Sequence, residues 1–168
     1  MKIYLASPLG FAPSTKGFLQ ELKSELGNHG HKVIDPWDEG AGQFTEFKRR
    51  EGCMLPLERA EALRLLNHRI GEGNRYAIEG VDVVVAVLDG SDVDSGTASE
   101  IGFAFALGKI IVGYRGDIRL TGENEATLVN LQVQYWIEES GGRKGRLVRT
   151  IPDLLAVLDT YNGGPEGT

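Results

Sequence analysis

Residues 81–88 read Val-Asp-Val-Val-Val-Ala-Val-Leu, apolar on both sides of an extended chain. A strand with one wet face would alternate. One with no wet face has to be covered by helices above and below, which is the situation of a central strand in a parallel sheet. The rest of the chain supplies the partners. Strands are expected at 2–7, 32–35, 110–114 and 147–149, the last at an edge. Helices are expected after Pro13, with Ser14 as N-cap and Phe18, Leu19, Leu22 and Leu26 at helical spacing, and at 57–70, 97–107, near 126–138 and 151–161. Gly71 and Gly73 are expected to break or kink the second helix before one or two further turns at 74–80. The polar, glycine-bearing stretch 37–55, with Trp37, Phe44 and Phe47, reads as a long loop, and 162–168 as a frayed tail.

Strand and helix therefore alternate along 168 residues, enough for one domain. The fold class is α/β: a flavodoxin-like or Rossmann-like open parallel five-stranded sheet with helices on both faces, in the order 2-1-3-4-5. Ligands of such sheets bind beyond the carboxyl ends of the strands, where the order reverses. The loops beginning at Ser7, Pro36, Asp89 and Arg115 open on that edge.

Composition removes several functions. The 18 Lys and Arg against 24 Asp and Glu leave a net charge of −6, which argues against a nucleic-acid polymer as partner. Cys53 is the single cysteine, so no internal disulfide or cysteine zinc cluster forms. His29, His31 and His68 make no His-x-x-x-His pair. The longest apolar run, 83–88, is far short of the roughly 20 residues that span a bilayer. The opening residues 1–10 hold no apolar run long enough for a signal peptide, so a cytoplasmic protein, or at least one not secreted by a visible signal, is expected. The 23 glycines follow no repeat. Residues 71–76 lack the third glycine of a dinucleotide fingerprint. Residues 102–109 mimic a P-loop one residue too long, with Ile110 where Ser or Thr should hold magnesium. Asp92-Val93-Asp94 does not directly follow the strand as a paired-aspartate metal site would. No cofactor and no metal are expected.

The chemically informative stretch is 89–102, Asp-Gly-Ser-Asp-Val-Asp-Ser-Gly-Thr-Ala-Ser-Glu-Ile-Gly. It leaves the central strand through a glycine-bearing turn and enters a helix. Gly96 permits close backbone approach to a ligand. Glu100 is expected within about the first helical turn, where unpaired N–H groups and the dipole favour an ionised carboxylate. Held charged at a pocket mouth, it can act as a nucleophile. Asp94 faces the same cavity, suited to proton handling or hydrogen bonding. A purely structural role is also open, since Asp94 or Ser95 as N-cap and Glu100 as a first-turn carboxylate need no catalysis.

Residues 94–109, from Asp94-Ser95-Gly96-Thr97 through Glu100 to Gly108-Lys109, resemble the signature of nucleoside 2-deoxyribosyltransferases. Three more pieces agree in order: Ile3-Tyr4-Leu5-Ala6-Ser7-Pro8 with Phe11, Asn74 ahead of the central strand, and Asn130-Leu131-Gln132. The resemblance implies a ping-pong transfer. Glu100 attacks the anomeric carbon of a 2′-deoxynucleoside, the base leaves, and a free nucleobase collects the sugar. Asp94 and Asn74 meet the base edge, Tyr4 orients the nucleophile, and Phe11 and Trp37 sandwich the base. Asn130, with Gln132 beside it, binds the sugar from a neighbouring subunit, which implies a homodimer or higher homo-oligomer with a shared site. Asn74 stands where some members carry aspartate, and the ending Asn162-Gly163-Gly164-Pro165-Glu166-Gly167-Thr168 is unlike the family's C-terminal carboxylate. Base preference is therefore open.

Two other readings share the fold. One is a hydrolase of nucleoside 5′-monophosphates, for which 7–10 offers no arginine but Arg115 and Arg119 could serve the phosphate. The other is a non-catalytic nucleotide-sensing module, which would not need Glu100, Asp94 and Asn130 together.

Overall fold

A computed structural model describes residues 1–162, so all of the expected tail except Asn162 lies outside the described residues. Five parallel strands form one sheet: β1 (Lys2–Ala6), β2 (Lys32–Ile34), β3 (Val83–Val87), β4 (Ile110–Tyr114) and β5 (Arg146–Val148). Their order is β2-β1-β3-β4-β5, as expected. Every residue of β3 is buried. The register sets Tyr4 opposite Val84 and Val84 opposite Ile111.

The two faces of the sheet carry separate cores. Ile3, Leu5, Val83, Val85 and Val112 pack under helices α1 (Lys16–Asn28) and α6 (Ile151–Asn162), through Leu22, Leu26, Leu154 and Leu158. Tyr4, Ala6, Val84, Ala86 and Ile111 pack under the helices of the other face. These are α3 (Pro56–Glu79), α4 (Ser95–Ala106) and α5 (Leu131–Arg143). The period-2 alternation of side chains deals neighbouring residues to opposite cores. Each fully buried Val or Ile contributes about 1.5–3 kcal/mol, so the strand ends that carry the loops are firmly held.

Four local expectations need correction. The stretch 37–55 is not a loop: Pro36–Glu51 is a helix, α2. Asp35 caps it, accepting from the Trp37 N–H at 3.0 Å, and Pro36 occupies the first position. Lys48, Arg49 and Arg50 crowd its last turn, where cations suit the helix dipole. These terms outweigh the roughly 1 kcal/mol that each of Gly40 and Gly42 costs. Helix α3 also runs unbroken through Gly71 and Gly73, anchored by buried Leu66 and Ile78 and closed at its start by the Glu58 carboxylate accepting from Leu55 N–H at 3.0 Å. Ser14 is not an N-cap. Pro13–Thr15 is a single 3₁₀ turn, held because the Thr15 hydroxyl donates back to Leu9 and Ala12 carbonyls. Finally, α5 begins at Leu131, since Asn130 caps it by accepting from Gln132 and Val133 N–H at 3.1 and 3.3 Å.

His31, buried between α1 and β2, has neither ring nitrogen hydrogen-bonded among the described residues. Burial holds its pKa below the ordinary 6.5, helped by the N-terminal amine and His29 and opposed by Asp159. The unfolded chain therefore takes up a proton near pH 6.5 that the folded chain refuses. This part of the stability is complete above about pH 6.5 and is lost as pH falls below it. His31→Leu is expected to flatten the acid side of the stability profile, read as urea midpoints between about pH 7.5 and about pH 5.5. Parallel profiles for the two proteins would refute this role.

Candidate active site

The carboxyl ends of β1, β2 and β3 and the helices α1 to α4 enclose a cavity of about 710 Å³, within the range of small-molecule sites. Glu100, Asp94, Gly96, Asn74, Phe11 and Trp37 all line it. Tyr4 lies beneath, fully buried in β1, and its hydroxyl donates to Glu100 Oε1 at 2.6 Å. Asn74 Nδ2 reaches the same oxygen from α3 at 3.4 Å. Among the described residues no hydrogen bond engages Oε2.

The expected position of Glu100 is corrected. Asp94 is the N-cap of α4, accepting from Thr97 N–H at 3.0 Å and the Thr97 hydroxyl at 3.3 Å, both on Oδ2. Glu100 therefore sits in the second turn, and the first turn holds no acidic residue. The dipole fades within the first turn, and burial takes over. Burial pushes the Glu100 pKa up, the Tyr4 hydroxyl pulls it back, and the Asp94 charge adds to the rise. The net direction is above the ordinary carboxylate value. Glu100 is thus a carboxylate more basic than usual, stabilised in its charged form mainly by one phenol.

The aromatic wall is built from two elements. Trp37, in the first turn of α2, donates from Nε1 to the Ser7 carbonyl at 2.8 Å. Phe11 stands edge-on to it, ring centroids 4.4 Å apart. Gly10 lies flat against the indole, so that a Cβ there would come within 2.2 Å of ring carbon. The loop after β1 and the start of α2 are therefore one packed unit. Lys23 reinforces it, its ammonium bonded to Asp35 at 2.9 Å and also to Asp38.

Asn130 and Gln132 do not line this cavity. Asn130 Oδ1 caps α5, and its amide donates to Glu123 at 2.7 Å. Arg115 and Arg119 lie outside it as well. The cavity also has walls that sequence reading passed over: Lys16 and Gln20 of α1, Asp38 and Phe44 of α2, and Asn67 and Ile70 of α3. The last two were within reach, since 67, 70 and 74 fall on one helical face. Among the described residues no group of three or more His, Cys, Asp or Glu could hold a metal ion, and no helix is long and apolar enough to cross a membrane.

A sequence model of the nucleoside 2-deoxyribosyltransferase family matches residues 3–132. An uncharacterized protein of Schizosaccharomyces pombe is 30% identical over 121 residues, which are 72% of this chain and 53% of that protein. The chain thus spans about half the length of that curated relative. A conserved protein from Enterococcus faecalis V583 shares the fold at TM-score 0.65 and 22% identity, over 96% of this chain and 98% of its own. A 2-deoxyribosyltransferase from Bacillus psychrosaccharolyticus does so at TM-score 0.61 and 20% identity, covering 92% and 90%. A CMP N-glycosidase from Clostridium botulinum follows at TM-score 0.51 and 20% identity, covering 96% and 99%.

Two outcomes are expected from this geometry. Tyr4→Phe removes the hydroxyl that favours the charged form, so the Glu100 carboxyl should titrate at still higher pH, followed by NMR of ¹³C-labelled glutamate. An unchanged or lower titration would show that the phenol does not hold the charge. Gly10→Ala should force the indole aside, cost about 1–3 kcal/mol of stability and alter the Trp37 emission. Full stability with an unchanged spectrum would contradict the packing described.

Proposed function

This chain belongs to the nucleoside 2-deoxyribosyltransferase family, and from that premise we propose that it moves 2-deoxyribose between a 2′-deoxynucleoside and a free purine or pyrimidine base through an ester on Glu100. The observation that carries the reading is the 2.6 Å hydrogen bond from Tyr4 to Glu100 at the floor of an aromatic-walled cavity. Glu100 Oε2 attacks C1′, and the bond from C1′ to the base nitrogen breaks with its electron pair going to the base. A second base then attacks C1′ through a ring nitrogen, its proton leaves, and Glu100 is released as carboxylate. Both steps pass through oxocarbenium-like transition states. Asp94 has its Oδ1 unengaged by any described hydrogen bond and takes the base edge, where it manages the proton. Asn74 supports Glu100 and the base, and because Phe11 and Trp37 stand at 83° to each other they meet the base with one ring face and one ring edge rather than as the expected sandwich. Gly96 leaves room beside Asp94, since a Cβ there would meet Oδ2 at 3.0 Å.

Asn130 is proposed to serve the sugar of a two-fold mate. It stands at the head of a partly exposed aromatic group in which Trp136 lies 4.4 Å from Phe105 and 5.2 Å from Tyr135. Aromatic residues of this kind are enriched at interface cores. To reach a substrate, the Asn130 amide has to leave Glu123. Hydrolysis of a nucleoside 5′-monophosphate is the second reading, favoured by Lys16 at the cavity. It is weakened because Arg115 and Arg119, the other candidates for a phosphate, are engaged elsewhere.

Deoxyinosine with free adenine, run beside deoxyinosine 5′-monophosphate without an acceptor base, decides between them. New deoxyadenosine supports transfer, base release from the monophosphate without transfer supports hydrolysis, and no product from either substrate favours a sensing module. Glu100→Gln should lower exchange by about 10³-fold or more. It should not lower the melting temperature at pH 7, because a carboxyl whose folded pKa is raised loses stability as pH rises, and the amide escapes that loss. Retained exchange would remove Glu100 from the mechanism. Mixed Glu100→Ala and Asn130→Ala proteins should recover activity if sites are shared. No recovery under demonstrated subunit exchange would refute the sharing.

A further inference from the structure

Arg115 is 2% exposed and is the largest of the fully buried side chains. It follows β4 directly, outside the cavity, and no carboxylate is hydrogen-bonded to it among the described residues. Its guanidinium is wrapped by main-chain carbonyls instead. Nη1 donates to Leu88, and Nη2 donates to Gly90 at 3.3 Å and Arg119 at 2.8 Å. Nε has no partner among the described residues. Leu88 and Gly90 flank Asp89 on the loop that leaves β3. Arg119 lies on the loop that leaves β4. Asp89 adds a second tie, its Oδ1 accepting from Asp117 N–H at 2.8 Å, and Asp117 in turn pairs with Arg119.

A buried cation whose hydrogen bonds all go to neutral carbonyls, with the Asp117 charge reaching it only through space, is costly, and an apolar side chain of similar volume would fill the same space at less expense. What a neutral side chain could not do is pair with three carbonyls converging from two loops, of which that of fully buried Leu88 would be left without a partner. The two loops have different duties. The first carries Gly90, whose φ of +134° is open only to glycine, then Asp94, which caps α4, the helix of Glu100. The second ends at Asn130, the cap of α5.

We infer that Arg115 is a positioning residue: its guanidinium clasps the loop that places Asp94 and Glu100 to the loop that places Asn130, so that one side chain sets both. It does not touch substrate. The aromatic wall at the base comes from the loop after β1 and from α2, which the clasp leaves alone, whereas Asp94 at the base edge lies on the clasped loop. The catalytic part of this inference rests on the transferase reading, whereas the mechanical part does not.

The experiment uses the whole protein with Arg115→Met, which removes every donor, Arg115→Lys, which keeps the charge but not the fork, and Asp89→Ala, which cuts only the second tie. Hydrogen exchange is read segment by segment. Arg115→Met should raise exchange about tenfold or more in 89–97 and 116–130 together, with β1, β3 and β4 still protected. Arg115→Lys should fall between it and wild type, and Asp89→Ala should free the Asp117 and Arg119 amides. In deoxyinosine–adenine exchange, kcat of Arg115→Met should fall about 10- to 100-fold, with a smaller change in the KM for adenine, which keeps its aromatic wall. The acid limb of kcat/KM should move to lower pH, as a looser loop admits water to Glu100 and relieves its burial. Loosening in one loop only, in neither, or equally through the sheet would overturn the clasp. So would an unshifted acid limb in a variant whose two loops have loosened. If Arg115→Met does not fold, Arg115→Lys and Asp89→Ala decide the question by the same criteria. Wild-type protein without base exchange would sink the transferase reading and leave the hydrogen-exchange result to judge the clasp alone.

Discussion

The pairing of β1 with β3, strand beside strand in the same direction, is what the rest of the structure depends on. It puts Tyr4 opposite Val84 in the middle of the sheet, on the face that α4 covers, and it turns the carboxyl ends of both strands to one edge. The loop leaving β3 then carries the chain over that edge and returns it as α4, with Glu100 above the phenol. The two partners of the 2.6 Å bond both sit on regular elements. One belongs to a strand buried from Ile3 to Ala6 and the other to the second turn of a capped helix, so the carboxylate is oriented by the core itself.

The polar groups that this edge collects are held at some cost. Glu100 is desolvated and near Asp94, and its pKa rises for both reasons. Arg115 is desolvated with no carboxylate hydrogen-bonded to it among the described residues. Both would be better solvated in the unfolded chain, and both persist because hydrogen bonds from firmly placed partners leave no cheaper local arrangement. Instability at such an edge is the usual companion of a site that binds and reacts. Two hydrophobic cores, one on each face, supply the surplus that allows it.

Much of this could be read from the residues, for physical reasons that differ by element. The doubly buried β3 announces itself, because eight residues with one polar interruption fit little else, and the strand order followed from alternation of strand and helix. The lining of the candidate cavity was legible where it follows β3 immediately: Asp94, Gly96 and Glu100 lie in one continuous stretch. Helix α2 was missed because Gly40 and Gly42 and its polar surface hide the start signal Asp35-Pro36, an N-cap followed by proline at the first position. The turn occupied by Glu100 was misjudged because the cap could be placed at Asp94 or later, and with it went the expected direction of its pKa. Arg115 was read as an available cation, since sequence does not show that three carbonyls close around it.

The cap on α5 constrains what Asn130 can offer. Its carbonyl oxygen already accepts two backbone N–H groups and cannot turn away without unwinding the first turn of the helix. Only the amide end is transferable, at present resting on the Glu123 carboxylate. An asparagine is ordinarily ambidextrous, donor at one end and acceptor at the other. Here the fold has made it one-handed. Whatever replaces Glu123 opposite that amide has to present a lone pair, so a hydroxyl meeting it must point its own proton elsewhere. The helix cap thus dictates the polarity of a hydrogen bond made outside the helix.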